Sequence, residues 1–283
     1  MIKIAVQKSG RLYEDSLKLL KDCGLSVEDG LDTLKAQVRN FDAEVLFLRN
    51  SDIPKYLEDG VADIAILGEN VLIEKNVDIA VVEKLGFSKC RLSVAVPKGV
   101  PFNGPQDLNG KKIATSYPHS LQQYLNKHNV TASIHLISGS VEIAPNIGLA
   151  DAICDLVSSG NTLFKNGLEE KEILLKSEAV LAANKNSLAE KSELIEELAF
   201  RIRSVLKARK NKYILFNIPN DKVAEASQIL PVLKSPTVLP LLEEGWSSMH
   251  SVINDEDFWT VLNKLEKCGA QGILVIPIEK MIV

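Results

Sequence analysis

Short apolar runs alternate with amphipathic stretches over the first two thirds of the chain. Ile2–Val6, Glu44–Leu48, Ile64–Leu67 and Ile79–Val82 read as strands. Leu12–Cys23 repeats apolar residues at helical spacing before Gly24 stops it, and Ile53–Glu58 reads as a short helix. A second cycle follows. Leu92–Val96, Lys111–Ala114, Ser133–Leu136 and Ala152–Val157 are strand-like, with helices predicted over Leu121–His128 and Val141–Ala150. This βαβα rhythm predicts parallel sheets covered by helices on both faces. Two such cycles predict two lobes with a cleft, where ligands sit at the carboxyl ends of the strands.

The pattern changes after one further strand, Glu178–Ala183, and a helix over Leu188–Lys207 laced with both charge signs. The basic, polar stretch Ala208–Lys212 reads as a boundary. Beyond it come a strand at Tyr213–Ile218, a helix at Lys222–Ile229 and a segment with three prolines, Pro231–Pro240. A strand at Ser248–Ile253, a helix at Asp255–Lys267 closed by Gly269, and a strand at Ile273–Pro277 complete a βαββαβ order. The expected division is a first lobe from residues 1–88 plus 183–210, a second from 89–182 and a small domain from 211–283.

Composition narrows the function. With 283 residues, two or three domains are expected. A formal net charge of −4 argues against a nucleic-acid binder. No stretch reaches the roughly 18 apolar residues of a membrane span, and MIKIAVQKSG lacks a secretory pattern, so a cytoplasmic protein is expected. Cys23, Cys90, Cys154 and Cys268 are scattered, with no metal-ligand spacing. His119, His128, His135 and His250 are isolated from catalytic partners. Phosphate binding by this acidic chain would depend on local amides, a few cations and a metal.

The strongest local signal is Asp155-Leu156-Val157-Ser158-Ser159-Gly160-Asn161-Thr162-Leu163. An apolar strand enters a polar turn with one glycine and then a helix start. Successive amides in such a turn form an anion-binding concavity, to which the hydroxyls of Ser158, Ser159 and Thr162 add donors. Gly160 lets the backbone close around a phosphate. Asp155 is suited to accept hydrogen bonds from the vicinal hydroxyls of a ribose. The same residues also fit an ordinary strand–helix turn capped by Ser and Thr.

The longer string Glu142-Ile143-Ala144-Pro145-Asn146-Ile147-Gly148-Leu149-Ala150-Asp151-Ala152-Ile153-Cys154-Asp155, continued by Ser159-Gly160-Asn161-Thr162-Leu163, resembles the signature of the ATP phosphoribosyltransferase family. Gln7-Lys8-Ser9-Gly10-Arg11-Leu12, Leu48-Arg49 with Asp52-Ile53-Pro54, Ala114-Thr115-Ser116-Tyr117-Pro118 and Ser235-Pro236-Thr237 resemble the same family. The likeness covers essentially the whole chain. It implies an α/β protein with a two-lobed, periplasmic-binding-protein-like catalytic core and a C-terminal ferredoxin-like regulatory domain, the long form of the family.

The resemblance also implies roles. Ser158, Ser159, Gly160, Asn161 and Thr162 would hold the 5-phosphate of 5-phosphoribosyl 1-diphosphate, and Asp155 its ribose hydroxyls. Lys8 and Arg11 would meet phosphates across the cleft, and Arg49 the departing diphosphate, where a bidentate guanidinium suits better than an ammonium. Thr115, Ser116 and Tyr117 would border the ATP side, and Glu142 and Asp151 would contact substrate, although Asp151 equally fits a loop brace. Histidine would bind the small domain through Asn217, Leu233, Ser235, Thr237 and Gly272. Mg²⁺ would arrive mainly on substrate phosphates, with no protein ligand set assigned. Dimers and a hexamer of the chain are implied. A two-lobed solute-binding module is the competing class, and it predicts a signal peptide and no phosphate loop.

Overall fold

The computed structural model describes residues 1–28, 33–230 and 235–282. The chain divides into two compact units, Met1–Glu196 and Glu197–Val283. The first lobe begins with β1 (Ile2–Gln7), α1 (Arg11–Asp22), β2 (Lys35–Gln37), β3 (Ala43–Leu48), α2 (Ile53–Glu58), β4 (Ile64–Gly68), α3 (Glu69–Lys75) and β5 (Ala80–Lys84). The second lobe follows with β6 (Cys90–Pro97), β7 (Lys112–Thr115), α4 (Pro118–Lys127), β8 (Ser133–Leu136), β9 (Ala152–Val157), α5 (Asn161–Lys165) and β10 (Leu168–Ser177). The chain then returns to the first lobe as β11 (Ala179–Ala183), continuing into α6 (Lys185–Glu190) and α7 (Ser192–Arg209).

Among the described residues the first lobe is a six-stranded sheet in the order β2-β3-β1-β4-β11-β5, and the second a five-stranded sheet in the order β10-β6-β9-β7-β8. The parallel strands expected from the βαβα rhythm form only part of each sheet, the middle of the first and one side of the second. β1 runs parallel to β3 and β4, and β7 parallel to β8 and β9, whereas β2, β5, β6, β10 and β11 join antiparallel. Ile4, Ala5 and Val6, Ile64–Leu67 and Ala179–Ala183 are fully buried, the continuous apolar pattern of strands covered on both faces.

Three readings of the sequence change here. Residues 179–182 belong to the first sheet and not the second lobe, because β11 pairs with β4 and β5. Only Glu178 separates β10 from β11, so the chain changes sheets within one residue. The helix expected over Val141–Ala150 shrinks to a 3₁₀ turn, Val141–Ile143, since Pro145 offers no N–H and its ring obstructs the preceding turn. The helix expected over Leu188–Lys207 starts earlier and breaks at Lys191, which leaves α6 and α7. Asn184 caps α6, its side-chain oxygen accepting from the amides of Asn186 and Ser187. β10 and α3 were not anticipated. β10 is an edge strand rich in Glu and Lys with two irregularities, so no clean period of two appears.

The second unit contains β12 (Asn211–Pro219), α8 (Val223–Ile229), β13 (Thr237–Pro240), β14 (Trp246–Asn254), α9 (Phe258–Lys267) and β15 (Gln271–Pro277). The sheet order β13-β14-β12-β15 with every pair antiparallel is the ferredoxin-like arrangement. Ile214, Phe216 and Ile218 of β12 and Met249 and Ile253 of β14 pack with Ala226, Val261 and Leu265 of α8 and α9 in one core. Among the described residues no helix is long and apolar enough to cross a membrane.

Candidate active site

β1 and β3 run side by side in parallel, with Gln7 level with Leu48. Lys8 and Arg49 are the next residues on each strand, and the Lys8 amide donates to the Leu48 carbonyl at 2.9 Å. Two cations therefore leave the carboxyl edge of the first sheet together. Both are exposed, and neither side chain has a hydrogen-bond or ion-pair partner among the described residues. Arg11 opens α1 after the turn at Gly10. Its Nε lies 3.9 Å from Asp15 in an exposed pair of little energetic weight.

The carboxyl edge of the second sheet carries the other group. Thr115 ends β7 fully buried, its hydroxyl donating to the Cys154 carbonyl at 2.6 Å and accepting from the Tyr117 amide at 2.9 Å. That hydroxyl is engaged within the fold both as donor and as acceptor, and it shapes the turn. Ser116 donates to the Ile137 carbonyl at 2.5 Å. Tyr117 is half-buried against the lobe core. Burial, followed by the nearby negative charges of Asp155 and Glu74 among others, pushes its phenol well above the ordinary range, so it stays protonated.

Asp155 lies on β9 just before the loop. Burial raises its carboxyl above the usual range, the Leu156 amide pulls it down, and Glu142 repels it from the adjacent 3₁₀ turn. Neither carboxylate has a cation partner among the described residues. Ser158, Ser159, Asn161 and Thr162 are exposed, and Gly160 turns the loop with φ 81°. The amides of Ser159, Gly160 and Thr162 have no partner among the described residues, while the Asn161 amide reaches the Ser159 hydroxyl only at 3.5 Å. These are the open donors an anion requires. A cavity of about 420 Å³ opens beside the loop, bordered by Ser158 and by Lys84, Lys89 and Lys176.

Gly160→Val is expected to abolish turnover with the fold retained. An added Cβ would meet nothing within 4 Å, so packing tolerates it. A β-branched residue at this φ costs about 1–2 kcal/mol and drives the loop out of shape. Steady-state assays and thermal melts of the variant check both halves of this expectation.

Asp151 does not join the site. It precedes β9 at the opposite end of the strand from the loop, where its carboxylate accepts from the Lys112 amide at 2.8 Å, the loop brace weighed above. In the second unit, Asn217 on β12 and Gly272 on β15 are neighbours, a Cβ on Gly272 lying 3.7 Å from the Asn217 amide nitrogen. Thr237 stands two strands away, paired with His250, which pairs with Leu215. Ser235 is exposed just before β13. Leu233 lies outside the described residues.

Two contributors escaped the sequence reading. Glu74, on the unanticipated α3, accepts from the amides of His119 and Ser120 at 2.9 Å and from the Ser120 hydroxyl at 2.7 Å. It joins the first lobe to the start of α4, beside Tyr117. Arg91 touches the loop itself, donating to the Ser158 carbonyl at 3.1 Å. The one available signal was a charge at the head of an apolar run, Arg91 before Leu92–Val96.

Two exposed cations at the carboxyl edge of one sheet and an open amide turn beside a carboxylate at the edge of the other mark a two-lobed α/β protein with groups suited to binding phosphate. The family model for ATP phosphoribosyltransferase matches residues 49–204, and the model of that family's C-terminal domain matches 208–280. The ATP phosphoribosyltransferase of Cytophaga hutchinsonii is 56% identical over 100% of this chain and 99% of its own, and that of Bacteroides thetaiotaomicron is 52% identical over the full length of both. A solved ATP phosphoribosyl transferase (HisG:HisZ) complex from Thermotoga maritima is similar with a TM-score of 0.63 and 31% identity, covering 72% of this chain and 99% of that one. The chain belongs to the ATP phosphoribosyltransferase family of histidine biosynthesis, in its long form, and is a pentosyl-group transferase.

Proposed function

We propose that this enzyme transfers the phosphoribosyl group of 5-phosphoribosyl 1-diphosphate to N1 of the ATP adenine, releasing diphosphate, in the first step of histidine biosynthesis. The observation that carries this reading is the loop after β9, with unpartnered amides at Ser159, Gly160 and Thr162 beside the Asp155 carboxylate. The amides and the hydroxyls of Ser158, Ser159 and Thr162 hold the 5-phosphate, with Asn161 opening α5. Asp155 accepts from the ribose diol. Lys8, Arg11 and Arg49 meet phosphates from the other lobe, Arg49 taking the diphosphate. Ser116 and Tyr117 border the adenine side.

The N1 lone pair forms the new bond to C1 of the ribose as the C1–oxygen bond breaks, and the departing diphosphate keeps that electron pair. No protein nucleophile is needed. Placement of the two polyanions supplies about 7–11 kcal/mol of such a barrier, and cations aimed at the leaving group supply electrostatic stabilisation. Among the described residues no cluster of three or more His, Cys, Asp or Glu side chains gathers to hold a metal. Asp155 and Glu142 nevertheless offer the hard carboxylate oxygens that Mg²⁺ takes one or two at a time alongside substrate phosphates. The ion would neutralise charge on the diphosphate. The deciding assay mixes enzyme, ATP, 5-phosphoribosyl 1-diphosphate and Mg²⁺ and follows released diphosphate; absence of release would overturn the reading.

Histidine is proposed as the feedback inhibitor, bound at the small domain near Asn217, Ser235, Thr237 and Gly272. The adjacency of Asn217 and Gly272 supports a pocket where backbone and amide approach a small ligand closely. Titration calorimetry is expected to show binding, and no heat at about millimolar histidine would retire the regulatory role. The cytoplasm is the proposed location. Self-association into dimers and a hexamer is proposed, supported by the exposed Leu274, Val275 and Ile276 on the edge strand β15.

A further inference from the structure

Behind the phosphate loop, three side chains form a connected group on the second lobe. Arg91 and Ser93 stand on one face of β6, and Glu170 on β10 reaches both. The Arg91 guanidinium donates through Nε and Nη2 to the two oxygens of the Glu170 carboxylate, a bidentate pair. The Ser93 hydroxyl donates to the same carboxylate at 2.7 Å. A third guanidinium donor, Nη1, is left over, and it reaches the Ser158 carbonyl at 3.1 Å.

That contact has a directional consequence. In a trans peptide the carbonyl and the following N–H point in opposite directions. Tying the Ser158 carbonyl back to Arg91 therefore turns the Ser159 N–H away from Arg91, and that amide is one of the open donors of the loop. Arg91 is paired with Glu170, so its net charge is largely cancelled and what remains is orientation. A planar fork held on two sides by Glu170 fixes its third donor in direction, which a lysine cannot do. Ser93, nearly fully buried, locks the carboxylate that locks the guanidinium.

We propose that Arg91 is a positioning residue for sugar-phosphate binding: braced by Glu170 and Ser93, it anchors the Ser158 carbonyl and so aims the Ser159 amide at the 5-phosphate. This rests on the reading that the loop holds the phosphate of 5-phosphoribosyl 1-diphosphate.

The test compares wild type, Arg91→Lys and Glu170→Gln by steady-state kinetics in each substrate, by titration with 5-phosphoribosyl 1-diphosphate alone, and by thermal melts. Both variants are expected to raise KM and Kd for 5-phosphoribosyl 1-diphosphate about ten- to hundredfold, the worth of one charge-assisted hydrogen bond, while KM for ATP stays within about twofold. Glu170→Gln keeps Arg91 and its charge but loosens its aim, so a loss there separates orientation from charge. Wild-type affinity in Arg91→Lys would overturn the inference, since charge alone would then suffice. A parallel rise in both KM values with a lowered melting temperature would overturn it too, in favour of a purely structural pair. If the wild type itself fails to bind 5-phosphoribosyl 1-diphosphate, the loop assignment falls and this inference with it; binding by the wild type with unaltered variants removes the inference alone.

Discussion

Asp155→Asn is expected to lower kcat/KM by about 10²–10⁴-fold, the worth of one or two hydrogen bonds from a diol to a carboxylate, and at the same time to raise the melting temperature at neutral pH. The two effects have one cause. Burial and Glu142 both disfavour the charge on Asp155, and the Leu156 amide offsets this only in part. A carboxyl raised above its unfolded value destabilises the fold where it is ionised in both states. The cost is therefore absent below about pH 4, the unfolded value, and complete above the raised folded value. Asparagine keeps an oxygen for the Leu156 amide and removes the charge, so the gain in stability should appear as pH rises and vanish in acid. The kinetic counterpart is an acid limb in the wild-type kcat/KM profile lying above the ordinary aspartate range, as the group protonates and stops accepting from the diol. Melts and pH–rate profiles of both proteins check this. A variant that is less stable at pH 7, or fully active, would remove Asp155 from the site.

Asp63→Ala should be among the most destabilising substitutions in the first lobe, lowering stability by about 3 kcal/mol, the lower end for breaking a buried ion pair, or roughly 6–12 °C in melting temperature. Asp63 is only 3% exposed. One oxygen accepts from the Lys3 amide at 2.7 Å, the other from the Ser187 hydroxyl at 2.7 Å, and Lys191 spans both at 2.8 and 2.9 Å. Removing the carboxylate strands three donors belonging to β1, α6 and the break before α7. Lys191 is partly exposed and can rehydrate, which is why the lower end applies. Burial alone would raise the Asp63 carboxyl, but Lys191, Ser187 and the Lys3 amide together hold it below the ordinary range. The sign is thus opposite to that of Asp155. The contribution is complete above the unfolded value near pH 4 and is lost as pH falls through the lower folded value. Denaturant melts of wild type and variant should converge in strong acid, and a gap unchanged down to that range would contradict the assignment.

Much of this enzyme was legible in its residues. Apolar runs such as Ile64–Leu67 and Ala152–Val157 could be read because strands covered on both faces need apolar residues at every position, a local demand. The turn at Ser158–Gly160 was legible for a similar reason: a tight passage from strand to helix needs a glycine such as Gly160 at positive φ. In the small domain periodicity marked β12, α8, β14, α9 and β15, whereas β13 lay inside the proline-bearing segment with no period of two. What tertiary structure decided was everything that depends on neighbours distant in sequence. β10 hid among Glu and Lys because an edge strand presents charges to water. β11 was placed in the wrong lobe because sheet membership is a matter of which edge is available to pair with. The Thr115 hydroxyl donates to the Cys154 carbonyl, 39 residues on. Glu74 carried no sequence signal and Arg91 showed only as a charge at the head of an apolar run, since a cap or a brace is defined by the partner it meets. Local stereochemistry fixes what a segment can form, and long-range packing then selects which of its polar groups remain open to a ligand.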